Sequence, residues 1–499
     1  MSIEWERKFE VTADSPVPWL AKVGTVAEQS EPTESQLDAT YFDTRDFRLA
    51  RAGITLRRRT GGHDEGWHLK LPVAPEQREE IHVPLGENRT KVPSKLARLV
   101  TAWSLGEKLV PIAHIATVRF SSDLLDAEGK VLATLADDRV TAEAGGDTAR
   151  LDAWRELEIE LVNGSDPRLL DGAESALRKL GARPAKSSSK LARVLGDRLP
   201  VPEQHGKKKS AGFVVGEHLR AQAELLRTHD VGVRTGKDDA VHQMRVASRR
   251  LRSALSSFRR VLDRDATAEL AGELRWLGRK LAPARDTEVL EQLLNEQVDA
   301  QPGELVMGPV KASLTAYFAR EETNAGKKAL STLDGPRYLA LLRSLDRLLA
   351  DPPLTGKASR RAAPELEKAL RRASKRLRRA EKALASATDR DAALHEVRKK
   401  AKQARYTGEA AAPAFGKRVE AWTKKVKEIQ STLGDHHDRI VARELVRQLG
   451  VQEHLLTHNA FTYGLLHRHN TAEADRLDAA YRAQWTRLAS TSRPRWLTE

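Results

Sequence analysis

Two periodicities divide the chain. Over residues 1–200 apolar and charged side chains alternate, which is the spacing of strands with two unlike faces. Glu4, Glu6, Lys8 and Glu10 share one face of the first segment, and Ile3, Trp5, Phe9 and Val11 share the other. Thr55, Arg57 and Arg59 alternate with Ile54 and Leu56, and His68 and Lys70 with Trp67, Leu69 and Leu71. Glu156, Glu158 and Glu160 alternate with Leu157, Ile159 and Leu161. Turn signals at Gly61-Gly62, Gly145-Gly146 and Asn163-Gly164 punctuate the strands, and helices are predicted near 91–104 and 166–180. From about residue 213 the pattern changes to long helical stretches rich in Ala, Leu, Arg and Glu.

The expected organisation is a strand domain over 1–200, a Pro- and Lys-containing linker over 201–211, and a helical domain over 212–496. A second break, Asp351-Pro352-Pro353-Leu354-Thr355-Gly356, divides the helical part into about 212–350 and 360–496. These two parts look like an internal repeat. The run from His242 through Arg245, Arg249, Arg250 and Arg252 lies 153 positions before that from His395 through Arg398, Lys399, Lys402 and Arg405. Leu277…Arg285-Asp286 pairs in the same way with Leu433-Gly434-Asp435-His436-His437-Asp438.

One strand with a charged face would be an ordinary solvated strand. Four together, acidic at both ends of the domain and basic between, predict a closed barrel with a charged lumen and apolar faces packed outward on helices. Such a lumen is costly unless ligand and ions compensate it. Carboxylates paired at i and i+2 suit Mg2+ or Mn2+, and converging Arg and Lys suit a multiply charged phosphate chain. Together these features fit metal-assisted attack of water on a phosphoanhydride. No Walker-type Gly-rich loop is present.

Composition sharpens this picture. The net charge of +15 is uneven: residues 1–200 hold 29 basic and 32 acidic residues, and the remainder 56 and 38. A basic helical half points to a polyanion. The chain has no Cys, which excludes a thiolate nucleophile and Cys-ligated metal sites. No apolar run approaches a membrane span, and the first residues lack the regions of a signal peptide. The expectation is a cytoplasmic protein with no membrane partner.

Glu4-Trp5-Glu6-Arg7-Lys8 is an E-x-E-x-K motif, followed in order by several further pieces. These are Tyr41-Phe42-Asp43-Thr44, Leu56-Arg57-Arg58-Arg59, Trp67-His68-Leu69-Lys70, Arg78-Glu79-Glu80, Arg119, Asp137-Asp138, Glu156 to Glu160, and Ser189-Lys190-Leu191. The ordered set resembles the CYTH domain of the triphosphate tunnel metalloenzymes. That resemblance implies an eight-stranded antiparallel tunnel. Glu4, Glu6, Glu158 and Glu160, with Asp137, would hold one or two divalent metals. Arg57, Arg59, Lys70, Arg119 and Lys190, with help from Arg78, would grip phosphates, and Lys8 would position or deprotonate the attacking water. Arg119 stands between Val118 and Phe120, where many relatives carry further basic residues.

In the helical half, His242, Arg245, Arg249 and Arg252 fall on one helical stripe, as do His395, Arg398, Lys402 and Arg405, and Arg250 and Lys399 widen the two faces. The adjacent His436 and His437 point apart on a helix and make a poor metal pair. His454 and His458 lack the Glu of a zinc motif. The Arg371–Arg379 stretch reads as a surface helix. The half resembles the CHAD domain, which implies two four-helix bundles around a basic surface that binds inorganic polyphosphate.

The expected whole is an α+β, two-domain CYTH–CHAD protein: a metal-dependent hydrolase of tripolyphosphate that binds long-chain polyphosphate and can associate with polyphosphate granules. The alternatives are a non-catalytic polyphosphate-binding or granule-targeting protein, or a tunnel enzyme acting on thiamine triphosphate or ATP. Few aromatics and no known nucleic-acid module disfavour nucleic acid as the partner.

Overall fold

The computed structural model describes residues 2–86, 90–145, 150–162, 164–199 and 206–490. Residues 201–205 of the expected linker, 491–496 of the expected helical domain, and the turn residues Gly146 and Asn163 lie outside the described residues. The chain divides into two compact units, Met1–Pro202 and Glu203–Glu499.

The first unit holds ten strands: β1 (Ser2–Val11), β2 (Glu28–Gln29), β3 (Thr33–Asp43), β4 (Thr55–Thr60), β5 (Gly66–Ala74), β6 (Gln77–Val83), β7 (Val110–Leu125), β8 (Val131–Ala144), β9 (Arg150–Leu161) and β10 (Arg183–Pro184). Eight of them close a barrel in the order β1-β6-β5-β4-β3-β7-β8-β9, with β9 returning to β1 and every pairing antiparallel. The two-residue β2 and β10 pair with β7 and β1. The five helices are α1 (Arg48–Arg51), α2 (Ser94–Leu99), α3 (Thr101–Ser104), α4 (Arg168–Lys179) and α5 (Lys190–Leu195).

Alternation along each strand sorts the side chains. The outward residues Phe9, Leu135, Leu157 and Ile159 pack with Leu169, Leu170, Ala173 and Leu177 of α4 in an apolar core. Inward, the lumen has two halves. One end is filled by Ala39, Tyr41, Ile115, Val140 and Ala142 together with Leu191, Val194 and Leu195 of α5, which plugs the barrel. Ser189 starts this plug: its backbone is extended and its hydroxyl accepts the Ala192 N–H at 3.1 Å, an N-cap. Asp43 of the Tyr41-Phe42-Asp43-Thr44 motif has a similar structural duty. It is fully buried and accepts the N–H groups of Thr44, Leu49 and Ala50 at 2.6, 2.9 and 2.8 Å, anchoring α1.

Strand parity corrects one expectation. Asp137 does not face the lumen. It lies on the outer face, where its two oxygens accept Arg155 Nε and Nη2 at 2.8 and 2.7 Å. Its neighbour Asp138 faces inward, opposite Arg119 in the β7–β8 register. Adjacent strand residues must point to opposite faces, so only one of the two can serve the lumen.

The second unit is helical: α6 (Ala211–Thr235), α7 (Ala240–Ser257), α8 (Ala268–Lys280), α9 (Ala282–Asp299), α10 (Val310–Leu333), α11 (Pro336–Ala350), α12 (Ala362–Leu384), α13 (Arg390–Phe415), α14 (Lys417–Leu455) and α15 (Phe461–Ser490). The repeat places α7 and α13 in corresponding positions, and α8 with α9 against the single α14. Pro283 at the start of α9 accounts for the break, since proline lacks the N–H that would continue the helix. No proline interrupts the 39 residues of α14. Leu294, Val298, Val310, Leu314, Phe318, Val446, Leu449 and Leu466 join α9, α10, α14 and α15 in one core. No helix among the described residues is long and apolar enough to cross a membrane.

Leu195→Ala is expected to empty a fully buried site in the plug and cost about 2–5 kcal/mol, read as an earlier denaturant midpoint for the barrel unit.

Candidate functional site

The unplugged half of the lumen is a cavity of about 320 Å3. It is lined by ten of the eleven residues expected of the strand half: Glu4, Glu6, Lys8, Arg57, Arg59, Lys70, Arg119, Glu158, Glu160 and Lys190. Asp137 is the exception. Arg78 also lines the cavity, but its guanidinium holds Glu6 at 3.1 Å and donates to the Gly53 and Ser188 carbonyls at 3.1 and 2.7 Å. It therefore braces β1 and the start of α5.

Register explains the pairing of charges at the inner end. Lys8 lies opposite Glu158 across β1 and β9, and its ammonium sits 2.5 Å from Glu158 and 3.0 Å from Glu6. Lys190, carried in by the plug, lies 2.8 Å from Asp138 and 2.7 Å from both Glu156 and Glu158. These three carboxylates form the one tight acidic cluster among the described residues, and it is centred on an ammonium. Arg119 adds a bidentate contact to Asp138 at 2.7 and 2.6 Å and reaches Glu158 at 2.6 Å. Burial disfavours the Lys8 and Lys190 ammonium groups, but Glu158 and Glu6 for Lys8, and Asp138 and Glu158 for Lys190, raise both above the ordinary lysine value. Lys8 so held can donate to a water or a phosphate oxygen and is a poor base.

The other side of the cavity is not balanced. Glu6 and Glu160 lie directly opposite one another, a like-charge pair that antiparallel strands do not favour. Glu4 is pushed up to about 8 by burial and by its carboxyl contact with Glu80, against the pull of Lys70 at 2.5 Å. Burial also raises Glu160, and the neighbouring Glu6 and Glu158 add to the rise against the pull of Lys70. Carboxylate oxygens that burial and like charge make reluctant to ionise are donors a divalent cation would relieve, so Glu4 and Glu160, with Glu6 beside them, fit such an ion, whereas Glu158 is already engaged by Lys8, Lys190 and Arg119. Facing them, Arg57 and Arg59 each keep a buried Nε without a hydrogen-bond partner.

A second cavity, of about 560 Å3, lies in the helical unit. His242, Arg245, Arg249 and Arg250 of α7 and His395, Arg398, Lys402 and Arg405 of α13 all line it. Two expected residues do not. Arg252 lies one turn beyond Arg249, beside Arg275, and Lys399 is half exposed and held by Glu396 at 2.6 Å. Here cations outnumber their partners. The Nε atoms of Arg249, Arg285 and Arg398 are buried without hydrogen-bond partners. Lys402 is pushed down to about 7 by burial, with Arg398 and Arg249 beside it. His242 is pushed down to about 4 by burial and Arg285. His437 falls to about 4 through burial, Arg398 and His395, whose ring lies 4.3 Å away. The adjacent His436 turns the other way, toward Asp391 at 3.7 Å.

Some site residues carried signals that were not fully used. Glu80 shares the parity of Arg78, Asp138 follows from pairing with Arg119, and Arg285 belongs to the repeated Arg285-Asp286 element. Tyr41 and Asp64 reach the cavity through strand pairing and a turn, and no spacing rule points to them.

Comparison with known proteins agrees with this division. The CYTH domain family matches residues 2–195 and the CHAD domain family residues 217–447. Over 498 residues the chain is 37% identical to an uncharacterized protein of Mycobacterium tuberculosis strain H37Rv, covering 96% of each. The CHAD domain of the plant Ricinus communis aligns at TM-score 0.47 and 24% identity over 59% of this chain and 97% of that one. HpAC1 from Hippeastrum, described with a dominant triphosphatase activity, aligns at TM-score 0.25 and 18% identity over 38% of this chain and 94% of that one. With a charged antiparallel barrel followed by a repeated helical unit, and with both domain families matched in that order, the chain belongs to the CYTH–CHAD proteins.

Proposed function

We propose that the barrel cavity is the active site of a metal-dependent phosphoanhydride hydrolase that converts tripolyphosphate and water to pyrophosphate and phosphate. We propose further that the helical cleft binds long-chain inorganic polyphosphate. One observation carries the first reading: a single cavity sets crowded carboxylates, Glu4, Glu6 and Glu160, against cations, Arg57 and Arg59, that retain unused donors. A divalent cation bound by the carboxylates would polarise the anhydride as a Lewis acid. The residues of the chain do the rest. Arg57, Arg59 and Arg119 would bind phosphate oxygens, Lys8 would orient water or a phosphoryl oxygen, and Lys70 and Lys190 would neutralise the charge that develops on the leaving pyrophosphate. The cleft reading rests on its concentration of guanidinium groups, of which Arg249, Arg285 and Arg398 keep a buried Nε with no hydrogen-bond partner, donors that suit a polyanion presenting oxygens and no bases.

Glu4→Ala and Glu158→Ala are expected to abolish phosphate release from tripolyphosphate, ATP and thiamine triphosphate, assayed side by side with Mg2+ or Mn2+, while leaving polyphosphate binding intact. Asp137→Asn should retain turnover. Unchanged release in both Glu variants would remove the enzyme assignment, and pyrophosphate formed from ATP without phosphate would redirect it to cyclisation.

Metal affinity should depend on pH. The Glu4 carboxyl, near 8, must lose its proton to ligate, so Mn2+ binding strengthens as pH rises toward 8 and weakens below. Calorimetry without substrate should show on the order of ten-fold tighter binding at pH 8.5 than at 6.5, with proton release that Glu4→Gln eliminates.

The cleft should have the opposite sign. Lys402 loses its proton near 7 in the free protein, and a bound polyanion restores it, so polyphosphate binding takes up protons. Affinity should rise about ten-fold from pH 8 to pH 6 and fall steeply with salt, and Lys402→Met should flatten the pH profile. Arg249→Glu and Arg398→Glu should weaken binding, with Lys399→Ala as the neutral control. Equal competition by duplex DNA would make the cleft a general polyanion site.

A further inference from the structure

The Arg59–Asp64 ion pair joins partners in different surroundings: the guanidinium side chain is 7% exposed and the carboxylate side chain 56%. Asp64 belongs to the turn between β4 and β5. Gly61 has φ +79°, and a Cβ there would stand 1.9 Å from the Gln36 carbonyl oxygen, so the turn lies tight against β3. Its backbone is pinned without using the Asp64 side chain. The Gly61 N–H donates to Glu65 at 2.7 Å, and His68 Nε2 donates to the Asp64 carbonyl at 2.9 Å. The carboxylate alone is free to choose a partner, and it takes Arg59.

The turn also marks one end of the cavity. Asp38 pairs with Thr60, so the start of β3, with Glu34, lies at the same end as the β4–β5 turn, and both Glu34 and Asp64 line the cavity. The far end is filled by α5. On the proposed function a phosphate chain would enter at the end that carries Asp64 and Glu34, and any part of it too long for the cavity would lie near them. Burial pushes the Asp64 carboxyl up, but Arg59, His68 and Arg57 hold it below its ordinary value, so it is an anion at neutral pH.

We propose that Asp64 is a specificity-determining residue that sets the length of phosphate chain the barrel accepts. It occupies Arg59 in place of a phosphate, and once displaced it repels the charged units of a chain that extends beyond the mouth. This inference rests on the proposal that the barrel hydrolyses phosphate chains.

The test compares the full-length wild type, Asp64→Asn and Asp64→Glu on tripolyphosphate and on a longer linear polyphosphate of defined length. Asp64→Asn should lower KM for tripolyphosphate and raise the ratio of kcat/KM for the long chain over tripolyphosphate about ten-fold. Asp64→Glu should keep the wild-type ratio. An unchanged ratio in an Asp64→Asn protein that still turns over tripolyphosphate overturns the proposal and leaves the hydrolase reading standing. If the wild type hydrolyses neither chain, the hydrolase reading fails on its own. The role of Asp64 is then decided by calorimetric binding of the same two chains to full-length protein carrying Arg249→Glu and Arg398→Glu, where an Asn variant with the same chain-length preference overturns it.

Discussion

Charges that face the inside of a closed barrel have only one another for company, and the strand unit is organised by that constraint. Water cannot solvate them fully, and an unmatched ion there would cost several kcal/mol. The register meets the constraint at the inner end: Lys8 stands opposite Glu158, and Arg119 opposite Asp138. The plug delivers Lys190 into three carboxylates. Toward the mouth the matching weakens: Glu4 is raised to about 8 despite Lys70, and Glu160 stands opposite Glu6, whose own partners are Lys8 and Arg78. The barrel thus concentrates its unmet electrostatic demand in one place, and the chemistry proposed for it follows from where that demand lies.

The helical unit handles charge differently. Its cleft gathers cations from α7 and α13, and burial, with repulsion from neighbouring cations added to it, keeps Lys402, His242 and His437 short of protons. A barrel strand can match a charge across a ladder every second residue. A helical stripe repeats its own sign instead, so two such stripes facing each other add their fields.

Much of this was legible in the sequence because both units follow simple periods. Residues two apart share a lumen, which is why Glu4, Glu6 and Lys8, and likewise Arg57 and Arg59, were identifiable before any fold was known. Residues three and seven apart share a helical stripe, which exposed His242, Arg245 and Arg249 with their repeat. What escaped depended on pairing partners or single-residue events. Choosing Asp138 over Asp137 requires the register against Arg119, a long-range property. Arg252 keeps the helical phase but lies a turn beyond the cavity, and Lys399, axially between Arg398 and Lys402, is rotated about 100° from Arg398 and turns to Glu396. The α5 plug is one short helix whose apolar residues pass for an ordinary helix until the barrel end they close is known. Asp43 resembles a site carboxylate and is in fact a backbone anchor.

The plug has a consequence for traffic. On the proposed reaction, with α5 filling one end of the barrel, substrate and products would pass the other end, and the fragment lodged deeper would leave after the shallower one. Release would then be ordered by position along the axis. The deeper fragment would be the slower inhibitor to dissociate, and identifying it would reveal which end of the chain went in first.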